Sequence, residues 1–170
     1  ILTGYLNLTK ILEITLNNGM DPRTGKKIGL ATGDPTRFES CEELVQAYKK
    51  QLKHFVDIKI RGNNVIETLY AEYMPAPFLS IVIDDCIAKG KDYNAGGARY
   101  NTSYIQGVGL GTTTDCLTAL KYHVYDEKDL TMTELLDALR DDFAGRERMR
   151  QTLLNKTPKY GNDDDYADDI

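Results

Sequence analysis

Residues 84–124 read DDCIAKGKDYNAGGARYNTSYIQGVGLGTTTDCLTALKYHV, and this stretch decides what kind of fold the chain can have. Five glycines fall between residues 94 and 111, around a β-favouring run from Tyr100 to Val108. The pattern predicts a loop that leads into one buried strand. A helix is predicted next, over about residues 114–125. One strand cannot close a sheet, so a partner strand must come from elsewhere.

Before this stretch, the sequence predicts mainly helices. Apolar residues recur at mostly helical spacing from Leu2 to Asn18, and Asn17-Asn18-Gly19 supplies a C-terminal stop. A breaker-rich excursion with one short hairpin around Thr24-Gly25 is expected over residues 19–38. A shorter helix from Phe78 to Lys89 is expected to turn Leu79, Val82, Ile83, Cys86 and Ile87 inward and to stop at Gly90.

The longest predicted helix starts at a capping box formed by Ser40 and Glu43. Its apolar stripe continues to Tyr73, before Pro75 ends it, and we expect an irregularity at Gly62-Asn63-Asn64. Such a helix would have about 30 residues and a length of roughly 45 Å. A 170-residue globule has a diameter of roughly 40 Å. The helix is therefore expected to belong to a larger protein.

After the central stretch, two further helices are predicted, over residues 132–142 and 146–155. Thr131 and Glu134 form a second capping box, and Gly145 separates the two helices. The whole pattern indicates a mostly helical chain with one or two strands. Because an apolar periodic segment is already under way at Ile1, we expect further chain before it.

The composition is that of an ordinary water-soluble protein. The net charge is −5, and the 21 basic residues are dispersed, which disfavours nucleic-acid binding. No run approaches the roughly 20 apolar residues that span a bilayer, so we expect no membrane span and a cytoplasmic protein. Cys41, Cys86 and Cys116 fit neither a disulfide framework nor a zinc motif, and Cys86 is expected to be a buried hydrophobe.

Three other constellations have ordinary structural interpretations. Neither His54 nor His123 has a second His or Cys at metal-binding spacing, so no metal site is expected. Gly107, Gly109 and Gly111 lack the spacing of a dinucleotide loop and are expected to allow close backbone approach. The acidic tail lacks the glycine and glutamate of an EF-hand and is expected to be a solvated turn. The acidic residues in question are Asp163, Asp164, Asp165, Asp168 and Asp169.

Three segments together resemble the glycyl radical enzymes, the superfamily of pyruvate formate-lyase, glycerol and propanediol dehydratases and choline trimethylamine-lyase. The segments are ILTGYLNLTKILEITLNNGMDPRTGKKIG at 1–29, the stretch at 84–124, and NKTPKYGNDDDYAD at 155–168. Within the dehydratase and lyase branch, the opening ILTGYLNL is most similar to the hydroxyproline dehydratases. The resemblance covers nearly the whole chain.

The resemblance implies an α/β fold, a ten-stranded β/α barrel in which a cysteine loop and a glycine loop meet at the centre. Residues 1–170 would be an internal segment of that barrel, between the catalytic cysteine loop and the glycyl radical domain. Cys41 and Glu43 have the spacing of the family's Cys-x-Glu motif but fall in a predicted helix cap, and the radical-glycine motif is absent. No catalytic residue is therefore assigned to this chain, and the isolated segment is expected to be an inactive scaffold.

The resemblance also implies the chemistry. A glycyl radical, installed by an activase with S-adenosylmethionine and an iron–sulfur cluster, would oxidise a cysteine to a thiyl. The thiyl would abstract hydrogen beside the ring nitrogen of trans-4-hydroxy-L-proline, and a glutamate would protonate the leaving hydroxyl to give a pyrroline carboxylate. A homodimer with no cofactor bound to this segment is implied. Another branch member, acting on glycerol, propanediol or choline, is the alternative.

Tyr5 is the one substrate-binding candidate. It matches a tyrosine that faces the substrate a short way after the cysteine loop in the hydroxyproline dehydratases. We expect it at the start of the first helix, with its hydroxyl pointing into the cavity. The alternative is a tyrosine that packs in a core and bonds a neighbour through its hydroxyl.

Overall fold

The computed structural model describes residues 3–170, with side-chain surroundings from residue 4 onward. The described residues are mostly helical, as expected, and include four short strands, two of which form the hairpin predicted around Thr24-Gly25. The elements are β1 (Thr3–Asn7), α1 (Leu8–Leu16), β2 (Met20–Asp21), β3 (Lys26–Lys27), α2 (Cys41–Tyr73), α3 (Pro77–Val82), α4 (Cys86–Lys89), β4 (Tyr104–Val108), α5 (Leu110–Ala119), a π-helix (Leu120–Asp126), α6 (Met132–Arg140), α7 (Glu147–Lys156) and α8 (Asp165–Asp168). Strand β1 pairs with β4, and β2 pairs with β3.

The chain opens on a strand rather than on the predicted helix. Leu2 lies outside the described residues, and β1 occupies Thr3–Asn7. The Asn7 side chain then accepts a hydrogen bond from the Lys10 amide at 2.9 Å, which caps α1 and fixes its start at Leu8. The prediction was wrong here because Leu6 and Leu8 also fit the alternation of a strand.

The predicted stop and hairpin are both confirmed. Asn18 and Gly19 have left-handed backbones, with φ of 50° and 89°. Met20 then pairs with Lys27 in an antiparallel β2–β3 hairpin. The Asp21 carboxylate accepts hydrogen bonds from Lys10 Nζ at 2.7 Å and Thr24 Oγ1 at 2.6 Å. These bonds lower the pKa of Asp21 to about 2.

This depressed pKa predicts acid sensitivity of the hairpin. A carboxyl whose folded pKa lies below its ordinary value contributes stability above the ordinary value and loses it as pH falls through the folded one. The extra amide protection that wild type has over Asp21→Asn at residues 20–28 should therefore be full above about pH 4 and should shrink towards pH 2. Hydrogen exchange measures it. A difference that is constant over this range would contradict the assignment.

Helix α2 runs for 33 residues, close to the predicted length. Only half of its predicted capping box forms. Ser40 Oγ accepts from the Glu43 amide at 3.3 Å, but the Glu43 carboxylate accepts from the amide of Glu39 instead of Ser40. The irregularity predicted around Gly62 is absent, because α2 is helical throughout. A glycine inside a helix costs about 1 kcal/mol, which a long helix tolerates.

The helix predicted from Phe78 to Lys89 is broken into α3 and α4. Asp85 adopts a left-handed φ of 75° between them, so the helical hydrogen bonding cannot continue. Cys86 is 2% exposed, which confirms that it is buried, and Gly90 ends α4 in the left-handed conformation as predicted. Most of the apolar side chains expected to point inward are exposed, among them Leu79, Val82 and Ile87.

The C-terminal helices are confirmed, with two changes. Helix α5 begins at Leu110, four residues earlier than predicted, and changes to a π-helix at Leu120. The Thr131–Glu134 capping box forms in full and starts α6. Strand β4 begins at Tyr104 instead of Tyr100. A buried strand was expected, but most side chains of β4 are not covered by the described part of the chain.

The chain divides into two compact units, Ile1–Leu6 with Phe55–Gly107, and Asn7–His54 with Val108–Ile170. The second unit holds most of the buried apolar side chains, including Ile14, Leu44, Leu117 and Leu120. The first unit exposes many large apolar side chains, including Val65, Tyr73, Phe78, Val82 and Ile87. Extended exposed apolar surface of this kind is typical of surface that packs against further protein.

Across the described residues, no helix combines the length and apolar character needed to cross a bilayer.

Candidate functional site

Tyr5 lies in the middle of β1 and is 73% exposed. The expectation of a helix start was wrong, because α1 begins only at Leu8. Its side chain does not enter the buried core formed by the described residues, so the core-packing alternative finds no support there. A phenol on an exposed strand can present its hydroxyl to a ligand, and substrate contact by Tyr5 stays a prediction.

One face of β1 is covered by α2. A Cβ atom at Gly4 would collide with the end of the Lys59 side chain, so the lysine lies directly over that glycine. Gly4 is buried and Leu6 is half-buried. Since successive side chains of a strand point to opposite faces, Tyr5 lies on the other face. That face is free of helix α2.

The neighbouring strand β4 shows the same alternation. Ile105 is half-buried, whereas Tyr104 and Gln106 are exposed. Neither the Tyr104 hydroxyl nor the Gln106 amide bonds another residue between positions 3 and 170. β1 and β4 therefore form a two-stranded sheet with one half-covered face and one open, polar and aromatic face.

In the second unit, α1 and α5 meet at a glycine. Gly109 has a φ of 86°, and a Cβ atom there would lie 2.7 Å from Thr9 Oγ1. The Gly109 carbonyl accepts from Thr113 Oγ1 at 2.7 Å, and the two threonine hydroxyls lie 3.1 Å apart. The predicted close approach of backbone is confirmed at Gly109, while a Cβ at Gly111 would make ordinary contact with Tyr160.

Gly109→Ala should therefore destabilise this fold. A left-handed alanine costs about 1 kcal/mol or more, and the collision with Thr9 adds to this. We expect a loss of roughly 1–3 kcal/mol, with thermal unfolding as the measurement. Gly25→Ala is the control for backbone strain alone, because its φ is 68° but no heavy atom lies within 4 Å of the added Cβ. Equal losses would show that Thr9 is irrelevant.

The three cysteines lie at or within helices and are buried or half-buried. Cys41 is the first residue of α2, and burial raises its pKa. Burial likewise raises the pKa of Cys116 on α5. Cys86 is buried at the start of α4. Glu43 is engaged in the cap of α2, so Cys41 and Glu43 have the geometry of a helix start rather than of an active-site loop.

His123 has a role that the sequence did not reveal. It is 2% exposed in the π-helix. Its Nδ1 lies 2.9 Å from Asp129 Oδ1, and its Nε2 lies 3.1 Å from Thr157 Oγ1. The Thr157 hydroxyl in turn donates to the Leu153 carbonyl at 2.7 Å. The imidazole thus joins the π-helix to the end of α7 and the loop before α6.

Asp92 is a second residue that sequence reasoning missed. Its carboxylate accepts from the Ala76 amide and from Ser80 Oγ, both at 2.8 Å, and from the Asn94 amide at 2.8 Å. It thereby fixes the glycine-rich loop to the start of α3. An aspartate two residues before an asparagine amide is a common turn signal, but its bond to Ala76 is non-local.

The acidic tail forms a capped turn. Asp164 accepts from the Tyr166 amide at 3.1 Å, and Asp168 accepts from the Gly161 amide at 2.7 Å. The amide partner of Asp164 lies inside α8 and that of Asp168 precedes α8, so backbone amides bond both carboxylates, as in a polar turn.

The sequence and the structure of the chain are both similar to those of known proteins. The chain is 61% identical over 170 residues to trans-4-hydroxy-L-proline dehydratase of Clostridioides difficile, which covers all of the chain and 22% of the relative. A structure of hydroxyproline dehydratase from Clostridioides difficile, with substrate trans-4-hydroxy-L-proline bound, superposes with a TM-score of 0.95 over 99% of the chain and 21% of that protein. Glycerol-bound B12-independent glycerol dehydratase of Clostridium butyricum is 42% identical, with a TM-score of 0.89 over 98% of the chain and 21% of that protein.

The chain thus spans about a fifth of the length of the relatives it matches. Its few strands and many helices are those of one part of a glycyl radical enzyme barrel, which confirms the expected fold. A family model, pyruvate formate lyase-like, matches residues 1–170 without a gap at either end. The chain belongs to the pyruvate formate lyase-like family.

Proposed function

We propose that the chain is part of a glycyl radical dehydratase that removes water from trans-4-hydroxy-L-proline and gives a pyrroline carboxylate. The observation that carries the proposal is the identity of 61% to a hydroxyproline dehydratase over the full 170 residues. The glycerol dehydratase of similar coverage is only 42% identical. Relatives that act on sulfopropanediol or isethionate are 36–37% identical.

In this proposal, residues 1–170 build part of the barrel wall and one side of the substrate pocket. Tyr5 on the open face of β1 is the substrate-binding residue. Its hydroxyl can donate to the substrate carboxylate or accept from the ring amine. Its proposed role is to orient the substrate ring through this hydrogen bond rather than to transfer a proton.

The remaining parts of the chemistry belong to residues outside this chain. A radical glycine and a cysteine would supply hydrogen abstraction, and a radical-activating enzyme with S-adenosylmethionine and an iron–sulfur cluster would install the radical. A homodimer, an anaerobic setting and a cytoplasmic location complete the proposal. The isolated chain is proposed to be a scaffold without activity, and a glycyl radical signal from it in electron paramagnetic resonance would contradict that.

A substrate panel tests the proposal. The full-length enzyme, activated anaerobically and with its radical content measured, is given trans-4-hydroxy-L-proline, glycerol, 1,2-propanediol and choline in parallel. The proposal predicts turnover of trans-4-hydroxy-L-proline with kcat/KM at least roughly 100-fold above the others, since a site built for an amino acid leaves its polar groups unpaired with a diol. Turnover of a diol or choline without turnover of hydroxyproline would establish the alternative.

A further inference from the structure

Strands β1 and β4 end at the same level. Each leads within two residues into a helix, α1 at Leu8 and α5 at Leu110. At the start of these helices, Thr9 Oγ1 lies 3.4 Å from the Gly109 carbonyl oxygen. Two hydrogen-bonded strands that both lead to this contact run in the same direction. We infer that β1 and β4 are parallel.

This direction sets which side chains are neighbours. Tyr5 lies two residues before the end of β1 at Asn7, and Gln106 lies two residues before the end of β4 at Val108. Neighbouring strands lie about 4.8 Å apart, so the two side chains stand side by side. Both are exposed, while Gly4 and Ile105 belong to the more covered face. Gln106 is therefore the lateral neighbour of Tyr5 on the open face.

The open face is the one that should look into the barrel. In a β/α barrel the helices cover the outer face of each strand, and the other face lines the interior. Lys59 of α2 covers the Gly4 face, so the Tyr5 and Gln106 face is the inner one. Tyr5 and Gln106 are the middle residues of their five-residue strands, so on this face both side chains would point towards the centre of the barrel.

We propose that Gln106 is a second substrate-positioning residue, whose side-chain amide donates a hydrogen bond to the substrate carboxylate beside Tyr5. The inference rests on the proposed function and deepens it. The observation behind it is a glutamine amide that is exposed and makes no hydrogen bond to any residue between positions 3 and 170, next to the candidate pocket tyrosine. A neutral amide suits a zwitterionic substrate, because it donates to the carboxylate without repelling the ring ammonium as a cationic side chain would.

Tyr104 is a weaker candidate for this role. It shares the face and is 52% exposed, but it is the first residue of β4, two positions before Gln106, and so is not the lateral neighbour of Tyr5. Its phenol duplicates the chemistry of Tyr5, whereas the amide of Gln106 offers two donors and an acceptor. Gln106 is therefore the residue that the geometry favours for recognition of the amino-acid end.

Binding to the full-length enzyme before activation tests this inference without depending on turnover. Isothermal titration calorimetry with trans-4-hydroxy-L-proline should show a Kd raised on the order of 10-fold in Gln106→Met, which keeps the length and removes the hydrogen bond. Gln106→Glu, which places a negative charge against the carboxylate, should weaken binding further. Gln151→Met, on the exposed surface of α7, is the matched control and should bind like wild type.

The outcomes separate the two proposals. If wild type binds trans-4-hydroxy-L-proline but Gln106→Met and Gln106→Glu bind it equally well, the role of Gln106 is refuted and the proposed function stands. If wild type binds glycerol and not trans-4-hydroxy-L-proline, the proposed function itself fails. Each variant must have the circular dichroism spectrum and the thermal unfolding midpoint of wild type. If Gln106→Met does not fold, binding by Gln106→Glu decides the role of Gln106. After activation, an increase in KM that exceeds the fall in kcat is expected.

Discussion

Replacing Tyr5 by phenylalanine in the full-length enzyme should lower kcat/KM for trans-4-hydroxy-L-proline by about 10- to 100-fold. The change removes only the hydroxyl of an exposed side chain on β1, so the strand should keep its structure. One lost hydrogen bond to a charged group costs about 1.5–3 kcal/mol. At about 1.36 kcal/mol for each factor of ten, this cost corresponds to the expected loss of about 10- to 100-fold in kcat/KM.

The measurement is steady-state kinetics with radical content determined for each preparation. Tyr73→Phe is the matched control, because Tyr73 is an equally exposed tyrosine of the first unit and lies on helix α2 instead of the open face of β1. The control should be as active as wild type. Wild-type kinetics for Tyr5→Phe would return Tyr5 to a packing role in the assembled barrel.

Replacement of His123 by leucine should cause a large local loss of stability around the π-helix. The imidazole is buried and contacts Asp129 and Thr157 through its two nitrogens. Leucine is of similar size but leaves the Thr157 hydroxyl without its imidazole partner, and it removes the link between the π-helix and α7. We expect a loss of about 2–4 kcal/mol in the local opening free energy, by analogy with other broken buried networks.

Hydrogen exchange with mass spectrometry on peptides from residues 117–157 measures that loss directly. Asp129→Asn is the milder comparison, since Asp129 is mostly solvent-accessible and asparagine can still accept from Nδ1. It should cost less than about 1 kcal/mol. Equal protection in wild type and His123→Leu would mean that the network contributes nothing to the packing of α7.

Features that depend on neighbours along the chain were predictable from the sequence. The Thr131–Glu134 capping box, the left-handed stop at Asn18 and Gly19, and the β2–β3 hairpin are set by residues within about eight positions of one another. Backbone conformation and side-chain caps act at that range, so a single sequence contains the information.

Features that depend on distant partners were not predictable. Strand β1 forms because it pairs with β4, about 100 residues later, and that pairing overrides an apolar spacing that also suits a helix. The apolar spacing in α3 and α4 identifies Leu79 and Ile87 as side chains suited to burial. It does not indicate whether other residues of this chain cover them, and both are exposed. The break at Asp85 has no signal in the helical pattern.

The candidate site was also only partly predictable from the sequence. Tyr5 was identified from resemblance to the hydroxyproline dehydratases, and its strand geometry came only from the structure. Gln106 gave no sequence signal, because a glutamine in a β-favouring run is ordinary. Its significance depends on the pairing of β4 with β1, whose parallel direction is our inference, and on helix α2 covering the opposite face near Gly4.

Identification of the product tests the central claim most directly. The full-length enzyme is activated anaerobically and incubated with trans-4-hydroxy-L-proline labelled uniformly with ¹³C, and the reaction is followed by ¹³C NMR. The account predicts loss of the hydroxyl-bearing carbon signal and growth of an imine carbon signal from a pyrroline carboxylate, with one water released per substrate. An enzyme that carries its glycyl radical and leaves trans-4-hydroxy-L-proline unchanged would contradict it.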